Sequence, residues 1–283
     1  MITNFTEFND FVKNLKTKPN CGDNGTRDHY SNLPCCAVLD NVNKEDIDKP
    51  FFREEKGWKQ FWEICKKEYP LHSVCGGNSF NSPNMIESYE YNNTNGRILN
   101  IIKDLFGEKY LKKILKGNVL EIGYGYGGMG KYLMDNYESD YYGIDFVLSN
   151  KNDKTFTFKN KKRFLEIEKS GIPENLKTNK YNFIFSTNVF QHLTQKQRFD
   201  YFSEIYDCLD DNGTFYFDVF EGKTNVKLPE NFCTHFFLVQ TKVDTESEIM
   251  EKLKQIGFKN IKKNIKGTLN NRTEWVSYVC KKT

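Results

Sequence analysis

The sequence predicts an α/β fold, with a mostly parallel sheet covered by helices on both faces and an N-terminal helical and irregular segment. Three observations carry this expectation. From about residue 96 onward, apolar runs of strand length alternate with amphipathic helical stretches, and that alternation calls for right-handed crossovers between parallel strands. The stretch Gly117 to Asp145 reads as strand, glycine loop, helix and second strand. The chain then finishes with a capped helix, a Gly-Phe pair and two strands able to pair antiparallel.

Taken in order, residues 4 to 16 have the spacing of a short amphipathic helix, with Asn4 and Glu7 at its start and Phe5, Phe8, Val12 and Leu15 on one face. Lys18 to Lys49 has no sustained period and reads as irregular. A second amphipathic helix is expected from about Arg53 to Glu68, where Trp58, Phe61, Trp62 and Cys65 share a face that must dock on something apolar. This face either packs into a core or, with Tyr89 and Tyr91, lids a substrate pocket. Asn92 to Gly96 is a turn or helix-start signal, and Arg97 to Leu115 has helical periodicity. The boundary is therefore placed near residue 96, giving a segment 1–95 and a main domain 96–283.

The main domain opens with the apolar run Val119 to Ile122 leading into glycines 123, 125, 127, 128 and 130. A loop without Cβ atoms lets a ligand approach backbone N–H groups, and the helix after it directs its positive end at that ligand. Asp145 ends the next strand, placed to accept two ribose hydroxyls; the two features together describe a nucleoside pocket. Gly123, Gly125 and Gly128 also satisfy the dinucleotide pattern G-x-G-x-x-G, with an acid about 20 positions on. A carboxylate at Glu121 would repel a pyrophosphate but suit a sulfonium ligand that carries an ammonium group.

Further strands are expected at Phe164 to Ile167, Tyr181 to Phe185 and Thr214 to Phe220, the last of them buried. Thr194 and Gln197 form a capping box for a helix carrying Phe199, Phe202, Ile205, Tyr206 and Leu209, which Asp211 to Gly213 terminates. Thr245 and Glu248 cap a helix with Ile249, Leu253 and Ile256, stopped by Gly257 and followed by strands at Phe258 to Lys262 and Glu274 to Cys280.

Over roughly residues 96 to 283 the chain resembles the class I S-adenosylmethionine-dependent methyltransferases. The resemblance is carried by E-x-G-x-G-x-G at Glu121 to Gly127, Y-N-F-I-F-S-T-N-V-F-Q-H-L at 181 to 193, L-D-D-N-G at 209 to 213 and the helix–Gly-Phe–two-strand ending. It implies a Rossmann-like, seven-stranded sheet with an antiparallel C-terminal strand, and S-adenosyl-L-methionine as cofactor. It also implies a cofactor site at Glu121, Gly123, Tyr124, Gly125, Gly127, Asp145, Phe146 beside the adenine, and Ser186, Thr187 and Asn188 closing after the fourth strand. The third strand lacks the Asp that usually contacts the adenine amino group; Ile167 or Glu168 stands there. Arg97 is a candidate partner for the cofactor carboxylate, against the alternative of a solvated surface arginine.

Composition narrows the acceptor. A formal charge of +3, from 41 basic and 38 acidic residues spread along the chain, argues against a dedicated polyanion-binding surface. No (D/N)-P-P-Y follows the fourth strand and the main domain has no Pro-Cys nucleophile, which points away from nucleic-acid bases and towards a small molecule, most simply methylated at a hydroxyl oxygen. His192 is then the candidate general base, its alternative being a helix-terminal residue bonded locally. An RNA or protein methyltransferase, a NAD-dependent oxidoreductase and a catalytically silent fold relative are the competing readings. No stretch of 18 residues is apolar throughout, so a soluble cytoplasmic protein is expected, with its eight cysteines as reduced thiols. Five of them, with His29 and His72, fall in the first 80 residues, but there is no C-x-x-C and no finger spacing, so no metal is expected.

Overall fold

The computed structural model describes residues 95–124, 128–146, 163–187, 189–222, 244–270 and 273–283. The helices expected at 4–16 and 53–68, and the proposed aromatic lid, lie outside the described residues. Eight strands form one sheet: β1 (Asn118–Ile122), β2 (Asp140–Asp145), β3 (Phe164–Glu166), β4 (Tyr181–Ser186), β5 (Leu209–Gly222), β6 (Asp244–Thr245), β7 (Lys259–Asn270) and β8 (Thr273–Lys281). Their order is β3-β2-β1-β4-β5-β8-β7, with the two-residue β6 pairing β5. Every pairing from β3 to β5 is parallel, and β8 runs antiparallel to both β5 and β7. The seven-stranded layout with one antiparallel C-terminal strand is therefore present, with β6 added.

The helices are α1 (Asn95–Phe106), α2 (Glu108–Leu115), α3 (Gly128–Tyr137), α4 (Glu174–Lys177), α5 (Gln195–Cys208) and α6 (Glu246–Ile256). The single helix expected over 97–115 is two, because Gly107 at φ +86° breaks the ladder between them. Both expected capping boxes form, Thr194 with Gln197 on α5 and Thr245 with Glu248 on α6. β5 begins five residues earlier than its apolar run suggests. Leu209 pairs with Tyr181 before an irregularity, and regular pairing resumes at Thr214.

Strand alternation sorts the core into two layers. Val119, Tyr141, Phe183, Phe185, Tyr216 and Val279 face α1, α2 and α3 in one continuous cluster. On the other face Phe202, Phe215 and Phe217 stack with Phe190, their ring centroids 4.8 to 6.1 Å apart. The parallel strands β1, β2 and β4 thus end together at one edge of the sheet, with β1 between its neighbours. That is the switch point where an open α/β sheet leaves a crevice.

Candidate active site

Gly123 follows β1 with φ +77°. Its N–H donates to Ile144 O at 2.7 Å, which ties the start of the glycine loop to the end of β2. A Cβ added here would lie 2.1 Å from Val189 Cγ2, so the segment after β4 closes on this loop only because the residue is glycine. Gly130, in the first turn of α3, has a comparable role: a Cβ there would stand 2.4 Å from the Tyr141 ring. Under the close approach of α3, Tyr141 reaches from β2 to Glu121 on the neighbouring strand β1.

Glu121 is the fourth residue of β1 and lies on the face covered by α3, with 4% exposure. Tyr141 Oη donates to its Oε2 at 2.5 Å. Burial raises the Glu121 pKa to about 8; the phenol hydrogen bond opposes this and the Asp145 charge adds to it. Burial likewise holds the Tyr141 phenol well above its ordinary range, helped by the adjacent Glu121. At neutral pH the pair is thus mostly a protonated acid bonded to a neutral phenol, and a cation brought alongside would favour the carboxylate.

Asp145 ends β2, and its Oδ1 accepts the Phe146 N–H at 2.7 Å. Phe146 is buried, and so is Ile167, whose N–H donates to Asp145 O at 2.8 Å. Ile167, not the exposed Glu168, is therefore the residue set against the end of β2. Ser186 is buried and donates its hydroxyl to Ile122 O at 2.9 Å, joining the ends of β4 and β1; Thr187 beside it is half-buried. The Tyr124 ring turns into the core, edge-on to Phe164 with centroids 5.0 Å apart. Arg97 sits in α1, but its side chain, like Gly125, Gly127 and Asn188, is outside the described residues.

His192 closes a 3-10 turn, Phe190–His192, three residues beyond Val189. It is half-buried, and its backbone N–H donates to Val189 O at 2.9 Å. The structure thus brings Glu121, Gly123, Asp145, Phe146, Ile167 and Ser186 to the ends of β1 to β4. His192 stands on the segment that packs against Gly123.

Four residues of this region have no site role assigned from the sequence: Tyr141, Val189, Arg198 and Asp244. Arg198 had a visible signal, since it stands at the i, i+3, i+4, i+7 spacing of Tyr201, Phe202 and Ile205, a charge placed in an apolar stripe. The buried face of α5 is this one, turned one residue from the expected Phe199 face.

The residues present fit a cationic sulfonium nucleoside better than a pyrophosphate. Two acids, Glu121 and Asp145, border the start of the loop, and Glu121 is in a state that a neighbouring positive charge would relieve. Among the described residues no cluster of His, Cys, Asp or Glu could hold a metal ion, and no helix is long and apolar enough to cross a membrane. Cys208 and Cys280 are buried thiols, and burial pushes Cys208 to about 11. Neither has the character of a nucleophile at neutral pH.

Among curated proteins none matches the sequence. Solved structures that resemble the fold include phosphoethanolamine N-methyltransferase 2 of Haemonchus contortus in complex with S-adenosyl-L-methionine. It is 16% identical with a TM-score of 0.44, over 72% of this chain and 61% of that one, so the chain spans less than two thirds of its length. An S-adenosylmethionine-dependent methyltransferase of Clostridium acetobutylicum is 14% identical with a TM-score of 0.45, over 66% of this chain and 98% of that one. A cyclopropane synthase of Mycobacterium tuberculosis is 13% identical with a TM-score of 0.43, over 58% and 78%. The family model described as a methyltransferase domain matches residues 92–263, more than half of the chain. With Gly123, the acid at the end of β2 and the strand order already in place, that match makes the chain a member of the methyltransferase-domain family.

Proposed function

We propose that this enzyme binds S-adenosylmethionine in the crevice at the ends of β1, β2 and β4 and methylates a small-molecule acceptor at a hydroxyl oxygen. The observation that supports the reading is the meeting of three strand ends, where Val189 packs on Gly123 and the Gly123 N–H is bonded to Ile144 O, next to Asp145. Bound there, S-adenosylmethionine supplies a methyl group on a sulfonium, open to in-line displacement.

The chain's own residues do the rest. Gly123 with the glycine loop, and Glu121 behind it, hold the charged end. Asp145 accepts the ribose hydroxyls, while Phe146 and Ile167 flank the base. Ser186, Thr187 and Asn188 close the site after β4, and Arg97 pairs with the carboxylate. His192 takes the acceptor's hydroxyl proton on a ring nitrogen as the oxygen attacks, and positioning supplies most of the remaining rate. Residues 1–95 select the acceptor.

Calorimetric titration with S-adenosylmethionine and S-adenosylhomocysteine, with NADH in parallel and Asp145→Ala as control, tests the reading. Micromolar binding of the sulfur nucleosides that is lost in the control supports it. Heat with NADH and none with the sulfur nucleosides would overturn it in favour of an oxidoreductase.

A further inference from the structure

One fully buried ion pair lies on the sheet face opposite Glu121. Arg198 of α5 is 2% exposed, and Asp244 of β6 is 0% exposed. Arg198 Nε donates to Asp244 Oδ2 at 2.7 Å, and Nη2 lies 2.6 Å from the same oxygen. Gln195 Nε2 donates to Asp244 Oδ1 at 2.8 Å, so both carboxylate oxygens are engaged. The remaining arm of the guanidinium points at the turn after β4. Nη1 donates to Phe190 O at 3.1 Å and to Leu193 O, clasping both ends of the turn that holds Gln191 and His192.

The anchor of this clasp is rigid. β4 occupies one edge of β5 as far as Phe217, and β8 occupies the other as far as Gly222. β6 pairs β5 at Glu221 and Gly222, where β4 has ended, and this pairing fixes Asp244 in the sheet. Arg198 therefore connects the central sheet to the turn through a planar fork with set directions, which a lysine ammonium cannot reproduce. A charged pair in this place is not required for stability, because apolar residues of similar volume commonly serve as well in a core. What apolar residues cannot do is hold two backbone carbonyls in a fixed orientation.

We infer that Arg198 and Asp244 are positioning residues that set where His192 stands at the mouth of the crevice. The inference rests on reading His192 as the base in the proposed function, but its test does not need the acceptor or the cofactor. In full-length protein labelled with 13C-histidine, the chain has four histidines, and the His192 cross-peak is the one absent from His192→Gln. Two variants are compared with wild type: Arg198→Lys, and Arg198→Met combined with Asp244→Leu. The second removes both buried charges together, so a folded protein is expected even if the first does not fold.

The His192 cross-peak is expected to move by more than its linewidth in each folded variant, while the other three histidines stay in place. The double variant leaves the Phe190 and Leu193 carbonyls without their donor and is expected to melt below wild type, so spectra are compared at a temperature where both proteins are fully folded, and a shift of His192 there reports position and not unfolding. A His192 cross-peak that coincides with wild type in the folded double variant would overturn the inference. The spectra are recorded without ligand; a wild-type protein that failed to bind S-adenosylhomocysteine would sink the cofactor reading and leave this result standing.

Discussion

Replacing Glu121 with Gln gives the sharpest test of how the glycine loop is built. Gln keeps the shape of the side chain and still accepts the Tyr141 hydrogen bond, but it cannot ionise. In the wild type the folded protein holds Glu121 with a pKa of about 8, against an ordinary value of 4.5. For an acid raised on folding, the protonated form is the one the fold favours. Below pH 4.5 the group is protonated in both states and costs nothing. Between 4.5 and 8 the unfolded chain gains by ionising while the folded one does not, so stability falls as pH rises. Above 8 the loss is complete. At 1.36 kcal/mol per pH unit, with partial ionisation at both ends of the range, the wild type should lose about 3.5 kcal/mol relative to the variant between pH 5 and pH 8. Urea denaturation of both proteins across that range measures the difference, and titrations common to the two cancel. Curves that stay parallel to within about 1 kcal/mol would refute the picture of a desolvated, protonated acid behind the loop.

Three other outcomes follow from the same geometry. Gly123→Ala places a methyl against Val189 at a φ that costs about 1–2 kcal/mol for an L-residue, and calorimetry should show loss of S-adenosylhomocysteine binding from a protein that still folds. Phe190→Ala empties a ring position among Tyr201, Phe202, Phe215 and Phe217 and should cost about 3–5 kcal/mol in a denaturant titration. With an identified acceptor at saturation, His192→Ala should lower turnover at least about tenfold, and an unchanged rate would remove it from the mechanism.

The features of this fold legible in the sequence are those with a local cause. The strand running into glycines, the two Thr-initiated capping boxes and the Gly257 stop are each decided by a handful of adjacent residues, and each stands where the pattern puts it. The early start of β5 depends on tertiary pairing instead. Leu209 is drawn into the sheet by Tyr181, a residue 28 positions away that no local periodicity encodes. The site divides in the same way. Glu121, Gly123 and Asp145 belong to a contiguous motif, and their elements place them at neighbouring strand ends. Tyr141 reads as one more apolar strand residue until its hydroxyl is seen against Glu121. Asp244 shows its role only once β6 is laid beside β5, 46 residues from the arginine it holds.

The outer strand of the sheet has a consequence for the protein's behaviour at high concentration. β7 ends the strand order, carries Lys259, Lys262 and Lys263, and shifts register three times against β8. Lys263 is paired with Glu221 and Glu246, but a second chain seeking to extend the sheet there would meet the exposed Lys259 and Lys262 on a kinked ladder, with few straight stretches of N–H and C=O to copy. Strands as rich in aromatic residues as β4 and β5 would be a hazard at a boundary. Kept in the middle, behind a lysine-bearing border, they give the fold its core without giving neighbouring molecules a template for aggregation.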